Sequence, residues 1–326
     1  MRSSSRLFPV ALISAELIGD LTEDVYLLKP GRGQDSSVRV AVTRINDPSQ
    51  AGHKPPIVLL HGLFCNRHQW ITGEPKGLGA SLARAGYDVW LPELRGHGLS
   101  PANQNYHGNR AEDFWRDDLP AANDFIIEQT GLRPVWVGHG WSGMLIVAAL
   151  GLGAIPSSRL AGLAILAPRF SHPSSMSWMP GFHVWSRWRL KKKELVGSGI
   201  AEGPEHEPAG LMLERLIWTQ RTGVWSLSKK AQHSAWPGVE RVDLPLAVVL
   251  PKTGAARVHK DAMLLMDHWG RGAKALTLDV PAENRGELLD PFVVTLEQGG
   301  HGLVQDALEA WFDELDLTRQ SLQLRE

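Results

Sequence analysis

Short runs of consecutive apolar residues recur along this chain, and longer mixed segments separate them. The runs cover residues 57–60, 135–137, 163–166 and 247–250. Strands buried on both faces of a parallel sheet have this composition, and helices between successive strands supply the crossovers that parallel pairing needs. The pattern therefore predicts an α/β fold, in which helices cover both faces of a mostly parallel sheet.

Apolar spacing in the separating segments predicts helices over about residues 78–85, 111–129, 143–150 and 304–317. We expect Pro120 to kink or divide the second helix, because proline removes a backbone donor and clashes with the preceding turn. The third helix is apolar on every side and should be buried. Alternation at residues 38, 40 and 42 predicts an early strand, and residues 292–296 predict a late one.

Composition excludes several functional classes. The 326 residues can bury a substantial core, and their formal net charge of −1 gives no electrostatic reason to bind nucleic acid. The single cysteine, Cys65, cannot form an internal disulfide or complete a thiolate metal site. Residues 31–33 are Gly-Arg-Gly and lack the rest of a phosphate-binding motif. We therefore expect no metal and no cofactor.

The first residues carry a weak resemblance to a targeting segment. An apolar run over residues 7–15 follows Arg2 and Arg6, but Pro9 interrupts it and no small-residue cleavage pattern follows. No later segment approaches the roughly 18 apolar residues of a membrane span. The sequence predicts a protein without a transmembrane segment and with a cytoplasmic location.

One stretch interrupts the alternation of strands and helices. Residues 171–241 show no buried strand pattern and contain six of the 13 tryptophans: Trp178, Trp185, Trp188, Trp218, Trp225 and Trp236. We interpret this stretch as a mainly helical cap insertion, in which most tryptophans fix the insertion to its neighbours and one or two line a pocket. The predicted organisation is an N-terminal extension (1–35), a core in two parts (36–170 and 242–326) and the insertion between them.

Four motifs in order carry a family resemblance. His61-Gly62 ends the strand over residues 57–60, and residues 93–100 read Glu-Leu-Arg-Gly-His-Gly-Leu-Ser. Residues 138–143 read Gly-His-Gly-Trp-Ser-Gly, and residues 299–302 read Gly-Gly-His-Gly. Over residues 36–317 the chain resembles α/β-hydrolases of the lipase and esterase type. That resemblance implies a mostly parallel eight-stranded sheet, a cap inserted after the sixth strand, and a nucleophile–histidine–acid triad.

The resemblance places Gly140 at the nucleophile position. Nucleophiles of this family occupy a sharp strand-to-helix turn with the pattern small-x-nucleophile-x-small, which here runs from Gly138 to Ser142. Glycine has no side chain that attacks a substrate. Ser142 is the alternative nucleophile, but two residues along a helix turn a side chain by about 200°, so we favour a packing role for it.

The resemblance also identifies the remaining triad positions. His301, in the loop before the last helix, takes the position of the base. The position of the acid falls on Ala256, which is inert, and the family's other acid location, residues 167–171, contains no carboxylate. Asp261 and Glu297 are near in sequence, but either would need a shifted loop. The expected triad is therefore degenerate.

Backbone groups of an oxyanion hole do not depend on side-chain identity. The resemblance assigns them to the N–H groups of Leu63 and Trp141. Cys65 lies close to Leu63 in sequence, and we interpret it as a small buried hydrophobic residue because no cysteine–histidine context accompanies it.

The leading hypothesis is a pseudoenzyme: a hydrolase-fold protein impaired as a serine hydrolase, with a capped apolar pocket for a small acyl- or ester-type ligand. One alternative is an active ester hydrolase that uses Ser142 or a water activated by His301. Another is a non-enzymatic interaction protein whose cap binds a protein partner, which the sequence does not identify.

Overall fold

The computed structural model describes residues 4–31, 35–50, 54–170, 184–185, 188–189, 195–197, 203–218, 224–226, 233–252, 256–279 and 301–315. The late strand expected over residues 292–296 lies outside the described residues. Eleven strands are described: β1 (Val10–Ile18), β2 (Leu21–Leu28), β3 (Val40–Asn46), β4 (Pro56–Leu60), β5 (Asp88–Pro92), β6 (Val135–His139), β7 (Gly162–Leu166), β8 (Leu195–Gly197), β9 (His206–Pro208), β10 (Leu246–Pro251) and β11 (Ala273–Leu278).

Nine of these strands form one sheet, in the order β1-β2-β3-β5-β4-β6-β7-β10-β11. The strands from β5 to β11 in that order pair in parallel, and β1, β2, β3 and β5 pair antiparallel. Consecutive residues of the central strands pack into two different cores: Val58 contributes to one and Leu59 to the other. Burial on both faces explains the continuous apolar runs and confirms the predicted α/β fold.

Eight helices are described: α1 (Leu78–Arg84), α2 (Ala111–Asp113), α3 (Leu119–Thr130), α4 (Gly140–Gly151), α5 (Ala209–Trp218), α6 (Trp236–Val239), α7 (Ala256–Asp267) and α8 (His301–Glu314). A π-helical turn, Phe114–Asp118, joins α2 to α3, and Pro120 stands in the first turn of α3. The expected division of the helix near Pro120 is therefore present. Short 3₁₀ turns cover Arg67–Gln69, Tyr106–Gly108 and Ser157–Arg159.

The N-terminal part of the chain differs from the sequence-based expectation. Residues assigned to an N-terminal extension form β1 and β2 of the main sheet, so the described sheet has nine strands where the resemblance implied eight. β1 is an edge strand, and a bulge near Ile13 disturbs its alternation. Leu12, Ile13 and Leu17 are exposed. An edge strand that buries little apolar surface gives no clear period-two signal.

The described parts of the insertion contain both strands and helices. β8 and β9 form a separate antiparallel pair, and α5 and α6 follow them along the chain. The expected mainly helical composition therefore omitted a small two-stranded sheet. Across the described residues, no helix combines the length and the apolar character needed to cross a membrane.

Candidate active site

The turn between β6 and α4 forms the centre of the candidate site. β6 ends at His139, and α4 begins at Gly140, whose φ of 57° lies in the left-handed region. A β-carbon added to Gly140 would meet no atom within 4 Å. The backbone here thus has the sharp strand-to-helix turn that the motif predicts, with room for a side chain that glycine does not carry.

Close contact between strand and helix fixes the register of this turn. A β-carbon added to Gly138 would lie 2.6 Å from the Gly143 α-carbon, and one added to Gly143 would lie 3.0 Å from the Gly138 carbonyl carbon. Only glycine at both positions allows this approach. The motif gave the second small position to Ser142, whereas the closest approach to Gly138 involves Gly143.

Ser142 is fully buried in the first turns of α4. Its hydroxyl has no hydrogen-bond partner among the described residues. A nucleophilic serine needs a base within hydrogen-bond distance, and none of the described side chains supplies one to Ser142. This environment favours the packing role expected for Ser142.

The loop after β4 packs against the end of β6. Gly62 donates its N–H to Gln69 Oε1 at 2.6 Å, and a β-carbon added to Gly62 would lie 2.7 Å from His139 Nδ1. Leu63 follows, and no described residue accepts a hydrogen bond from its N–H. The Trp141 N–H lies in the first turn of α4, where helical amides have no partner within the helix. The two backbone donors assigned to an oxyanion hole are therefore not consumed by described contacts.

A segment of the insertion, residues 203–208, holds this loop from the other side. Glu207 Oε1 accepts a hydrogen bond from the Phe64 N–H at 2.7 Å, and the Glu205 N–H donates to the Phe64 carbonyl at 2.9 Å. Phe64 has a φ of 63°, a conformation that costs a residue with a side chain about 1–2 kcal/mol. The two contacts, one on each side of its α-carbon, offset that cost and fix the backbone next to Leu63.

Glu207 also forms a buried ion pair with His97. Glu207 Oε1 and His97 Nε2 are 3.2 Å apart, and both side chains are fully buried. Burial alone would lower the pKa of His97, but the Glu207 carboxylate outweighs it and raises that pKa to about 9. Burial likewise opposes ionisation of Glu207, and His97 together with the Phe64 N–H nevertheless holds its pKa below the usual value. The pair is therefore charged near neutral pH.

The motif histidines His61 and His139 are buried and neutral. His61 accepts a hydrogen bond from the Leu94 N–H at 3.1 Å, and burial together with the neighbouring His97 lowers the pKa of His61 to about 3. Burial also lowers the pKa of His139 to about 3, with a further contribution from Arg169. The Leu94 contact gives His61 a structural role, because its ring holds the backbone that follows β5.

The remaining triad positions are only partly described. His301 is the first residue of α8, and its side chain lies outside the described part of the chain. Ala256 is the exposed first residue of α7 and carries no carboxylate. Asp261 is buried in α7, where its Oδ2 accepts a hydrogen bond from the Phe170 N–H at 3.2 Å. Glu297 lies outside the described residues. The assignments of base and acid stay predictions.

Cys65 has the environment expected of a buried hydrophobic residue. Its side chain is fully buried, and its Sγ lies 3.4 Å from the Leu63 carbonyl oxygen. In the described ranges, no group of three or more His, Cys, Asp or Glu side chains is placed to hold a metal ion.

Aromatic side chains of the insertion extend from the residue that follows Gly140. The rings of Trp141 and Trp218 lie 5.1 Å apart, and Trp218 lies 6.0 Å from Trp225, which in turn lies 4.9 Å from Trp236. All four tryptophans are buried. The described part of the insertion thus packs against Trp141 through tryptophan. The roles of Glu205 and Glu207 were missed, because nothing local distinguishes a buried carboxylate from an exposed one.

Part of this chain is similar in sequence to known proteins. The model of the family described as alpha/beta hydrolase fold matches residues 55–210. Human gastric triacylglycerol lipase is 32% identical over 161 residues, which are 45% of this chain and 37% of the lipase. The chain thus matches well under half the length of this curated relative.

Two solved structures resemble the whole described architecture. A hypothetical protein from Pseudomonas aeruginosa aligns with a TM-score of 0.59 at 12% identity, covering 92% of this chain and 95% of that one. A bromoperoxidase from Bacillus anthracis aligns with a TM-score of 0.51 at 14% identity, covering 88% of this chain and 99% of that one. At such identities the likeness concerns the fold alone. Sheet order and the family match together show that this chain has the α/β-hydrolase fold and resembles the lipases and esterases of that superfamily.

Proposed function

We propose that this protein binds a small acyl- or ester-type ligand and is impaired as a serine hydrolase. The observation that carries the proposal is Gly140. It occupies the left-handed turn position from which a nucleophile projects, and a β-carbon there would meet no atom within 4 Å. The turn geometry is kept while the reacting group is absent.

The rate losses that follow removal of triad side chains favour an absence of covalent catalysis in this protein over slow covalent catalysis. Removing the nucleophile of a serine hydrolase lowers turnover by on the order of 10⁶, and removing the acid alone by on the order of 10⁴, without additivity. Backbone donors and binding retain roughly 10³–10⁴ over the uncatalysed reaction. Gly140 and Ala256 both lack the required side chain, and the described surroundings of Ser142 contain no base.

The ligand class follows from what the site retains. The N–H groups of Leu63 and Trp141 have no described acceptor, and two such donors suit a carbonyl or carboxyl oxygen. Packing of Trp218 on Trp141 supplies an apolar surface next to them. The similarity to gastric triacylglycerol lipase supports an acyl-type ligand. A cytoplasmic location stays a prediction that cell fractionation tests.

A ligand titration tests the binding half of the proposal. Octanoate and 1-octanoylglycerol should shift the tryptophan emission of wild-type protein and raise its melting temperature, because a ligand that binds only the folded state stabilises it. Glycerol, which lacks an acyl chain, is the control. Unchanged emission and melting temperature with every acyl compound would contradict the proposal and favour an interaction protein.

A gain-of-function pair tests the catalytic half. Gly140→Ser should give weak hydrolysis of activated esters, since the serine meets no steric obstacle. Adding Ala256→Asp should raise that activity if the carboxylate reaches His301 and holds its tautomer. Ser142→Ala in the Gly140→Ser background is the matched control and should leave the gained activity unchanged. No gain in either variant would contradict the assignment of Gly140 to the nucleophile position.

A further inference from the structure

The chain makes a tight turn just after β4. The Cys65 N–H donates to the Gly62 carbonyl at 3.2 Å and closes a turn of four residues. Leu63 and Phe64 are its two central residues, and Phe64 has a φ of 63°. A positive φ at the third residue is typical of a type II turn, which normally has glycine or asparagine at that position. The turn therefore adopts a conformation that its own sequence does not favour.

A more common turn is open to the same residues. In a type I turn the third residue has a φ of about −90°, which suits phenylalanine. The two types differ in the orientation of the central peptide, here the one that joins Leu63 to Phe64, and conversion rotates it by roughly half a turn. The Phe64 N–H and the Leu63 carbonyl would then exchange directions. Contacts from outside the turn therefore determine which type forms.

Glu207, in the insertion, supplies such a contact. Its Oε1 accepts a hydrogen bond at 2.7 Å from the Phe64 N–H, which belongs to the central peptide. Hydrogen bonds from an N–H to a carboxylate are stronger than those between neutral groups. In a type I turn the Leu63 carbonyl oxygen would face this carboxylate instead, and two acceptors repel each other. Glu207 thus favours the type II turn.

The carboxylate of Glu207 is itself held in place. Its Oε1 lies 3.2 Å from His97 Nε2 in an ion pair, and both side chains are fully buried. Glu207 lies in β9, which pairs with β8. Two residues earlier, the Glu205 N–H donates to the Phe64 carbonyl at 2.9 Å. Because this part of the insertion is fixed by several contacts, the acceptor cannot follow the turn if the turn changes.

The same turn carries one of the two backbone donors assigned to an oxyanion hole. No described residue accepts a hydrogen bond from the Leu63 N–H. The peptide before Leu63 is held at the Gly62 carbonyl, which binds the Cys65 N–H and lies 2.9 Å from His61 Nδ1. The peptide after Leu63 is held by Glu207. The direction of the Leu63 N–H is therefore fixed from both sides, and a preorganised donor needs no rearrangement when a ligand binds.

We propose that Glu207 is a positioning residue for the candidate site: it holds the Leu63–Phe64 peptide in the type II turn and thereby keeps the Leu63 N–H in place as a donor to an oxygen of the ligand. The inference rests on the proposed function, because an oxygen of that ligand is what this donor would bind. It adds a residue of the insertion to a pair of donors that both belong to the core.

Two substitutions of Glu207 separate positioning from general stabilisation. Glu207→Gln keeps an oxygen that accepts the Phe64 N–H, whereas Glu207→Leu has no acceptor. Both remove the ion pair with His97, so both should lower the melting temperature. Only Glu207→Leu should lower the affinity for 1-octanoylglycerol in calorimetric titration, by about two- to tenfold, the range expected for the loss of one hydrogen bond.

A second carboxylate of the insertion provides the matched control. Glu214 accepts a hydrogen bond from a core N–H, that of Ala111, at 2.6 Å. Glu214→Leu should therefore leave the affinity for 1-octanoylglycerol unchanged. If Glu207→Leu does not fold, the double variant with His97→Leu removes both charges, a replacement that buried ion pairs often tolerate. It should show the same loss of affinity.

Nuclear magnetic resonance with selectively ¹⁵N-labelled phenylalanine observes the turn without a ligand. The chain has eight phenylalanines, and the spectrum of Phe64→Leu identifies the Phe64 amide. An amide proton bound to a carboxylate resonates downfield. Glu207→Leu should therefore shift the Phe64 signal upfield, Glu207→Gln should largely keep it, and Glu214→Leu should leave it unchanged.

The outcomes separate this inference from the proposed function. Affinity that falls equally in Glu207→Gln and Glu207→Leu, or in neither, would overturn the inference, as would an unchanged Phe64 signal in Glu207→Leu. The proposed function would stand in each of these cases, because the wild type still binds. Absence of wild-type binding by every acyl compound would overturn the proposed function and the inference with it.

Discussion

Replacing Gly138 or Gly140 of the β6–α4 turn by alanine should lower the free energy of unfolding by very different amounts, although the two glycines are only two residues apart. Gly140 has a φ of 57° with no atom within 4 Å of an added β-carbon. Gly140→Ala should therefore lower the free energy of unfolding by about 1–2 kcal/mol, because alanine is strained in the left-handed backbone conformation but meets no steric obstacle. An added β-carbon at Gly138 would lie 2.6 Å from the Gly143 α-carbon. Overpacking of a rigid core destabilises a protein by about 1–3 kcal/mol and occasionally more. Because the obstacle at Gly138 is backbone, which moves less easily than a side chain, Gly138→Ala should lower the free energy of unfolding by about 3 kcal/mol or more.

Thermal unfolding measures the difference. For a chain of 326 residues, the loss for Gly140→Ala corresponds to a melting temperature lower by about 1.5–3 °C, and Gly138→Ala should lower it by about 4 °C or more. Gly131→Ala is the matched control, since Gly131 ends α3 with a φ of 69° and also has no atom within 4 Å of an added β-carbon. Gly131→Ala should lower the melting temperature by about as much as Gly140→Ala does. Equal losses at Gly138 and Gly140, or a larger loss at Gly140, would refute the register on which the nucleophile position rests.

Two further predictions concern buried charges. Asp118→Asn should lower the free energy of unfolding in urea by about 3–5 kcal/mol, because it leaves the buried Arg95 guanidinium without its ion-pair partner. Asp243→Asn removes one partner of an exposed ion pair and should change the free energy of unfolding little. Equal losses for Asp118→Asn and Asp243→Asn would contradict the importance of the buried pair. Because the pKa of His97 rises from 6.5 to about 9 on folding beside Glu207, its stabilising contribution is complete below pH 6.5 and is lost as pH rises through 9. Wild-type stability should fall across that interval more steeply than that of His97→Gln, and identical pH profiles for the two proteins would contradict the charged pair.

The central strands were predictable because burial on both faces leaves a continuous apolar run. Residues 57–60, 163–166 and 247–250 all fall within β4, β7 and β10. The edge strand β1 was not predictable in the same way. It buries Val10 but exposes Leu12, Ile13 and Leu17, and its bulge shifts the alternation. A strand stabilised mainly by backbone pairing leaves little trace in side-chain pattern.

In the candidate site too, features encoded by adjacent residues were predictable and features that depend on distant residues were not. The turn at Gly140 was predictable from the motif, because a strand-to-helix turn is encoded within a few adjacent residues. Glu207 was missed, since its partners Phe64 and His97 are more than 100 positions away along the chain. A carboxylate within a polar stretch is normally solvent-exposed, and only the tertiary structure reveals that this one is buried and paired.

The central claim is that the wild-type protein has no working serine nucleophile. The most direct measurement is intact-mass analysis after incubation with a serine-directed alkyl phosphonate, followed by peptide mapping of any adduct. We expect no adduct on wild-type protein or on Ser142→Ala, and a slow adduct at residue 140 of Gly140→Ser. Rapid labelling of wild type at Ser142, abolished in Ser142→Ala, would contradict the account and identify an active ester hydrolase.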